Sequence, residues 1–324
     1  MHALITGGAG FIGSHLADSL LRDGHDVAVL DDLSTGRLAN LADALRNPHC
    51  RFVEGRVEDS PELEPLIASA EVVFHLAAAV GVDLVVRSPV RTIEANVAGT
   101  EQVFGHAAKH GRLVLLASTS EVYGRATRPA CRETDDLVIG PPTHFRWSYA
   151  ASKALDEYLA FAFRKERNLR VTIVRLFNTV GPRQVGRYGM VLPRFVEQAL
   201  RGEQVRVFGN GKQTRCFCHV DDTVRALRAL AILPAAEGEI FNIGSPQPIS
   251  INRLARRVIT LTQSTSKVTH VPYAKAYGPG FEDMERRMPD TAKIQRAIGW
   301  QPQRTLDEAI LEVKAFLQSH PDAP

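Results

Sequence analysis

Cysteine is scarce in this chain, with four thiols in 324 residues. So few in so long a chain exclude a disulfide-stapled scaffold. Cys216 and Cys218 are close neighbours, but no second pair of ligands stands at zinc-site spacing. Two ordinary thiols on one strand are expected, and no metal. Long apolar runs are missing too. No stretch approaches the ~18 uninterrupted apolar residues of a membrane-spanning helix, so no membrane partner is expected. The opening MHALITGG runs straight into an apolar strand, without the charged and long apolar segments of a secretory leader, and a reducing cytoplasm is the expected compartment. Neither charge dominates: 39 basic and 36 acidic residues leave +3. That balance excludes a nucleic-acid coat but permits a local basic pocket for an anionic ligand.

What is present is an alternation. Ala3–Thr6, Val27–Asp31, Arg51–Glu54, Val72–Leu76, Leu113–Ala117 and Val171–Leu176 read as strands. Most are continuously apolar, as parallel strands buried on both faces must be. Phe11–Asp23 carries Ile12, Leu16 and Leu20 at helical spacing, with Gly24 as a stop. Strand and helix alternating in this way predict an α/β fold, a Rossmann-like doubly wound parallel sheet. Beyond Phe177 the texture changes, with Gly181-Pro182, Gly209-Asn210-Gly211 and Gly278-Pro279-Gly280. A nucleotide-binding domain over 1–177, completed by a segment near 216–245, and a smaller mixed α/β substrate-binding domain over 178–324 are expected. The last residues, 320–324, are expected to fray.

Thr6-Gly7-Gly8-Ala9-Gly10-Phe11-Ile12-Gly13 lies between the first strand and the first helix. Glycines at 7, 10 and 13 allow a tight turn and close approach of the backbone to a pyrophosphate, which the helix N-terminus stabilises. Asp31 ends the second strand. A carboxylate there bonds ribose hydroxyls and repels a 2′-phosphate, so NAD is expected over NADP. The alternative is a purely structural glycine turn.

Tyr149-Ala150-Ala151-Ser152-Lys153 opens a predicted helix over Tyr149–Arg164. Tyrosine and lysine four apart share one helix face. The ammonium can lower the phenol's pKa, making the tyrosine a base that takes a proton from an alcohol while NAD oxidises the carbon. Ala117-Ser118-Thr119-Ser120-Glu121-Val122-Tyr123-Gly124 puts two hydroxyls and a carboxylate at the end of a core strand. A solvated loop and a catalytic edge are both open on that stretch alone; Thr119 can add a hydrogen bond to the reacting oxygen.

Together these motifs resemble the extended short-chain dehydrogenase/reductases of the nucleotide-sugar epimerase/dehydratase/decarboxylase group. The resemblance covers nearly the whole chain: TGGAGFIG, the Asp31-Asp32 strand end, HLAA at 75–78, Asn96 in NVAGT, STSEVYG, YAASK, RLFNTVGPR at 175–183 and RRMPD at 286–290. It implies Thr119, Tyr149 and Lys153 as the catalytic set. It implies an NAD site lined by Gly7, Gly10, Phe11, Ile12, Gly13, Asp31, Asp32, Leu76, Ala77, Ala78 and Asn96, with Tyr149 and Lys153. A homodimer formed through two helices per subunit is also implied. One departure stands out. The family often has Gly-Asp after the third strand, where this chain has Gly55-Arg56-Val57, so Val57 or Glu58 must replace the adenine contact.

The resemblance further implies a UDP-sugar partner. Asn178, Arg215 and Arg287 would hold the diphosphate or sugar, Asp290 the nucleotide ribose, and Phe208 with Leu192-Pro193-Arg194 the base. Guanidinium forks suit a dianionic pyrophosphate. Dehydratases of the group have aspartate where Ser120 stands, so dehydration is disfavoured. Thr119-Ser120-Glu121 most resembles the UDP-glucuronate decarboxylases, which places Ser120 and Glu121 beside C5 and C6 of the sugar and allows Arg287 to serve there instead. A UDP-sugar 4-epimerase is the alternative, and a non-catalytic dinucleotide sensor the second.

Overall fold

The computed structural model describes residues 1–79, 81, 88–126, 128–186, 190–277, 284 and 286–320. The glycine-proline break at 278–280 and residues 321–324 lie outside them. The chain begins with β1 (His2–Thr6), α1 (Phe11–Arg22), β2 (Asp26–Asp31), β3 (Cys50–Glu54), α2 (Leu63–Ser69) and β4 (Val72–His75). It continues through α3 (Pro89–His110), β5 (Leu113–Thr119), α4 (Trp147–Arg167), β6 (Arg170–Leu176) and β7 (Thr179–Val180). All six predicted strands are present to within two residues. Helix α4 outruns its predicted Tyr149–Arg164 at both ends. Trp147 is buried and so belongs to the packed helix, and Asn168, left-handed at φ 54, ends it.

The second half holds α5 (Val191–Leu200), β8 (Val205–Phe208), β9 (Thr214–Cys216), β10 (Cys218–His219), α6 (Val220–Ala231), β11 (Ile240–Ile243), β12 (Pro248–Ser250), α7 (Ile251–Thr262), β13 (Val268–Val271), α8 (Tyr273–Tyr277), α9 (Ala292–Ile298) and α10 (Leu306–Ser319).

The main sheet has seven strands in the order β11-β6-β5-β4-β1-β2-β3, every pairing parallel. The strand order reverses beside β1, so the crevice at the carboxyl ends of β1 and β4 is the place such a sheet reserves for a ligand. One face of the sheet packs Leu16, Leu20, Val224 and Leu227 from α1 and α6; the other packs Leu66, Val103, Phe104 and Phe163 from α2, α3 and α4. A separate core of Leu192, Phe195, Val207, Leu254, Val258 and Ile310 holds α5, α7 and α10 together. Because β11 and α6 return to the main sheet, the later half of the chain is shared between both cores. Among the described residues, no helix is long and apolar enough to cross a membrane.

Candidate active site

The glycine turn is built for close approach. Gly7 has φ +72, and a Cβ there would meet the Ala77 backbone nitrogen at 2.7 Å. A Cβ on Gly13 would stand 2.4 Å from the Gly7 carbonyl oxygen. Gly10 caps α1 without a side-chain hydrogen bond, so the first amides of the helix face the crevice. Asp31 is buried, and its carboxylate accepts from the Ala9 amide (2.9 Å) and the Leu33 amide (2.8 Å). Burial pushes its pKa up, against the pull of those two bonds. Asp32 is exposed and accepts from the Ser34 amide and hydroxyl. The buried Asn40 amide group donates to the Ala9 carbonyl at 2.9 Å and so clamps the turn from outside the motif.

The β4 end is fixed by polar side chains. His75 is buried between the Thr6 hydroxyl (2.7 Å) and the Thr100 hydroxyl (3.1 Å). Burial, with the Lys153 charge adding to it, depresses its pKa to about 3, so the ring is neutral. Asn96 accepts from the Ala79 amide at 2.8 Å and donates to the Ser152 hydroxyl at 3.0 Å. It therefore braces Leu76–Ala79 against α4 from behind the crevice.

At the end of β5 the chain tightens into a 3-10 turn, Ser120–Tyr123, capped by the Thr119 hydroxyl accepting from the Glu121 amide at 3.2 Å. The hydroxyl pair and the carboxylate are thereby held at the sheet edge. Behind them Ser118 donates to Glu157 (2.5 Å), Glu157 pairs with Arg175 (2.6 Å), and Arg175 lies over the Tyr123 ring. This buried network ties β5, α4 and β6 into one rigid wall.

Tyr149 stands against Thr119, with which it hydrogen-bonds. Its phenol is pushed well above its ordinary pKa, first by burial and then by the Glu121 charge, with Asp156 adding; Thr119 and Arg287 pull the other way. The expected lowering by Lys153 is thus not what the protein alone displays. Burial is the main reason; in addition, Lys153 Nζ lies 2.7 Å from the Asp156 carboxylate, and both are almost fully buried. The ammonium that was to favour the phenolate is paired with a carboxylate one turn further along α4.

Glu121 is gripped from two sides. Arg287 donates to its Oε1 at 3.0 Å and to the Asn178 side-chain oxygen at 2.7 Å. Arg146 lies 3.6 Å from its Oε2. Arg287 is delivered by a two-way backbone pairing in which Cys131 donates to Met288 and Asp290 donates to Cys131, both at 2.8 Å. Arg215 donates to the Thr214 and Met284 carbonyls. Arg194 stacks over Phe208 at 3.9 Å, with Leu192 beneath in the second core.

These features share one cleft of about 660 Å³ that runs from the glycine turn to Phe208. Of the residues expected at the cofactor, catalytic and substrate sites, all line it except Asn96, Lys153, Asp290 and the buried Pro193. The first two lie directly behind the wall. Asp290 lies apart from the lining, its carboxylate meeting Arg132 (3.1 Å) and accepting from the Ala292 amide at the start of α9. Val57 is buried against Gly99, and Glu58 is paired with Arg56; all three of Arg56, Val57 and Glu58 reach the cleft where an adenine contact is needed. Among the described residues seven arginines and four carboxylates line the cleft, which makes it a basic pocket in a nearly neutral chain. Asn40, His75 and Arg146 were not singled out from sequence. Two of them carried a local signal, His75 as the first residue of HLAA and Arg146 beside the tyrosine–lysine motif.

The profile of the NAD dependent epimerase/dehydratase family matches residues 3–244. The chain belongs to that family. A UDP-N-acetyl-alpha-D-glucosaminuronate decarboxylase of Bacillus cytotoxicus is 41% identical over 310 residues, 95% of either chain. UDP-glucuronic acid decarboxylase 1 of Xenopus tropicalis is 36% identical over 95% of this chain and 70% of its own length. Among solved structures, a UDP-glucose 4-epimerase of Thermotoga maritima with UDP-glucose is 32% identical, with a TM-score of 0.87 over 99% of this chain and 100% of that one. NAD is the family's cofactor, and the glycine cradle, the uncapped α1 and the Asp31 strand end fit a dinucleotide.

Proposed function

We propose that this protein is an NAD-dependent decarboxylase of a UDP-hexuronate. The observation that carries the reading is Glu121 held between Arg287 and Arg146 beside Ser120 and Tyr149. A neutral sugar needs no such charged group at the carbon next to the oxidation site, whereas a hexuronate brings a carboxylate there. Relatives named as UDP-hexuronate decarboxylases support it.

In this reading Gly7, Gly10, Phe11, Ile12, Gly13, Asp31 and Asp32, with Leu76–Ala78, hold NAD, which supplies the oxidising equivalent at C4 when bound. Tyr149 takes the proton of the 4-hydroxyl, and Thr119 hydrogen-bonds the same oxygen. The C4 ketone makes the sugar a β-keto acid. The C5–C6 bond then breaks, carbon dioxide leaves, and the electron pair moves onto the C4 oxygen, where Thr119 and Tyr149 stabilise the enolate. Ser120 and Glu121 manage the proton that returns to C5. Arg287 serves this end of the cleft, Arg215 and Asn178 the diphosphate, and Phe208 with Leu192 and Arg194 the base. A soluble cytoplasmic homodimer fits the exposed apolar residues Val90 and Ile93 on α3 and Leu155, Tyr158 and Phe161 on α4.

The Thermotoga maritima likeness keeps a 4-epimerase as the second reading. Incubation with UDP-glucuronate, UDP-N-acetylglucosaminuronate and UDP-glucose, followed by mass spectrometry, separates them. Loss of the mass of carbon dioxide from either hexuronate is expected. Unchanged mass with a new isomer would replace the decarboxylase by an epimerase.

A further inference from the structure

Strand β7 is followed by the turn Gly181-Pro182-Arg183-Gln184. Arg183 has φ 66, a left-handed conformation that costs an arginine energy. Such a backbone persists only where its surroundings over-determine it. The surroundings here belong to α1. Phe11, His15 and Asp18 stand one turn apart along that helix and share one face. His15 Nε2 donates to the Pro182 carbonyl at 3.0 Å, and its ring meets Phe11 edge-on at 5.8 Å. Asp18 pairs with Arg183 at 2.7 Å, with side chains only 17% and 18% exposed. At Gly181 a Cβ would stand 2.7 Å from a Val220 methyl and 3.6 Å from the Phe11 ring. Gln184 donates back to the Thr179 carbonyl at 2.9 Å and closes the turn.

Helix α1 presents its N-terminus to the dinucleotide, and its next two turns grip a segment of the same cleft wall. Arg183, Gln184 and Val185 line the cleft together with Gly10, Phe11 and Gly13. Asp18 lies outside that lining. We propose that Asp18 is a positioning residue that, through Arg183, straps this turn over the glycine-turn end of the cleft and so sets the rate at which NAD leaves. Strain at Arg183 favours lifting of the strap, and the Asp18 pair opposes it. Because the pair breaks on the way out, its loss falls on dissociation more than on association. The inference rests on the family's cofactor and not on the fate of the sugar.

The test follows exchange of bound NAD against excess deuterated NAD, by mass spectrometry of the cofactor retained on the protein. The natural protein is compared with Asp18→Asn, Arg183→Gln and the double variant. Asp18→Asn is expected to exchange about fivefold faster or more, the worth of one charge-assisted hydrogen bond. Arg183→Gln should do the same, and the double variant should be no faster than either, because all three lose one contact. Asp18→Glu, which keeps the charge, should restore slow exchange. Exchange in Asp18→Asn as slow as in the natural protein overturns the inference. Slower exchange overturns it too, since the freed guanidinium would then be holding the dinucleotide itself. A double variant whose effect is the product of the two single effects also overturns it. If Arg183→Gln does not fold, Asp18→Asn and Asp18→Glu decide the matter.

Discussion

Lys153 and Asp156 form an ion pair that is nearly solvent-free, 2.7 Å apart, under the tyrosine that must ionise. Burial, with the Glu121 charge adding to it, keeps Tyr149 protonated at neutral pH in the protein alone, and its role as a base depends on what enters the cleft. Tyr149→Phe should lower turnover by about 10²–10⁴-fold, the usual contribution of a positioned acid–base group, while NAD is retained; turnover within a few-fold of the natural enzyme would remove the tyrosine from the chemistry. His75 makes a stability prediction. Its pKa falls from 6.5 to about 3 on folding, so below pH 6.5 the unfolded chain takes up a proton that the folded one does not. Its contribution is complete above about pH 6.5 and is lost progressively as the pH falls toward about 3. Denaturant titrations at pH 7.5 and pH 5 should show the loss, and His75→Gln should flatten it; an unchanged slope would show that the ring is not neutral in the fold.

At the scale of elements, the turn between β1 and α1 admits no side chain at Gly13. Gly13→Ala drives a methyl into the Gly7 carbonyl and should cost about 1–3 kcal/mol of stability, as overpacking does. It should also abolish NAD release on denaturation of the purified protein; NAD recovered at one equivalent would show that the cradle tolerates the shift. The last helix, α10, opens on a reciprocal cap in which Thr305 accepts from the Glu308 amide and Glu308 accepts from the Thr305 amide. Thr305→Ala should cost about 1 kcal/mol by denaturant melt. Because α10 packs in the second core with α5 and α7, that loss should weaken the wall carrying Leu192 and leave the glycine turn intact.

At the scale of the molecule, α3 and α4 carry several exposed apolar side chains. Tyr158 is 69% and Val90 66% exposed, on adjacent helices, with Ile93, Leu155 and Phe161 around them. A patch of this kind marks an association surface. Replacing Leu155 and Tyr158 together by arginine should convert a dimer to a monomer in sedimentation while leaving the melting curve of the monomer fold in place; a natural protein that sediments as a monomer would exclude the homodimer.

What the sequence determined by itself is whatever local rules control. Buried parallel strands read as apolar runs, the glycine turn as a spacing between strand and helix, and the tyrosine–lysine pair as two positions on one helix face. Cofactor, fold class and family follow from these, because each motif sits within one βαβ unit or one helix. The charge state of the site belongs to the tertiary structure. Lys153 was read as able to lower the Tyr149 pKa, and only packing shows the phenol buried and Asp156 paired with the ammonium. Asp290 was carried to the ribose with the rest of its motif, and only the tertiary structure shows its carboxylate beside Arg132 and the Ala292 amide while Arg287 lines the cleft. Glu121 and Arg287 are 166 residues apart, and Arg146 joins them from a third segment. No period or spacing in a linear chain encodes the meeting of three such groups; the sheet edge, the α4 start and the Cys131 pairing bring them within reach of one carboxylate.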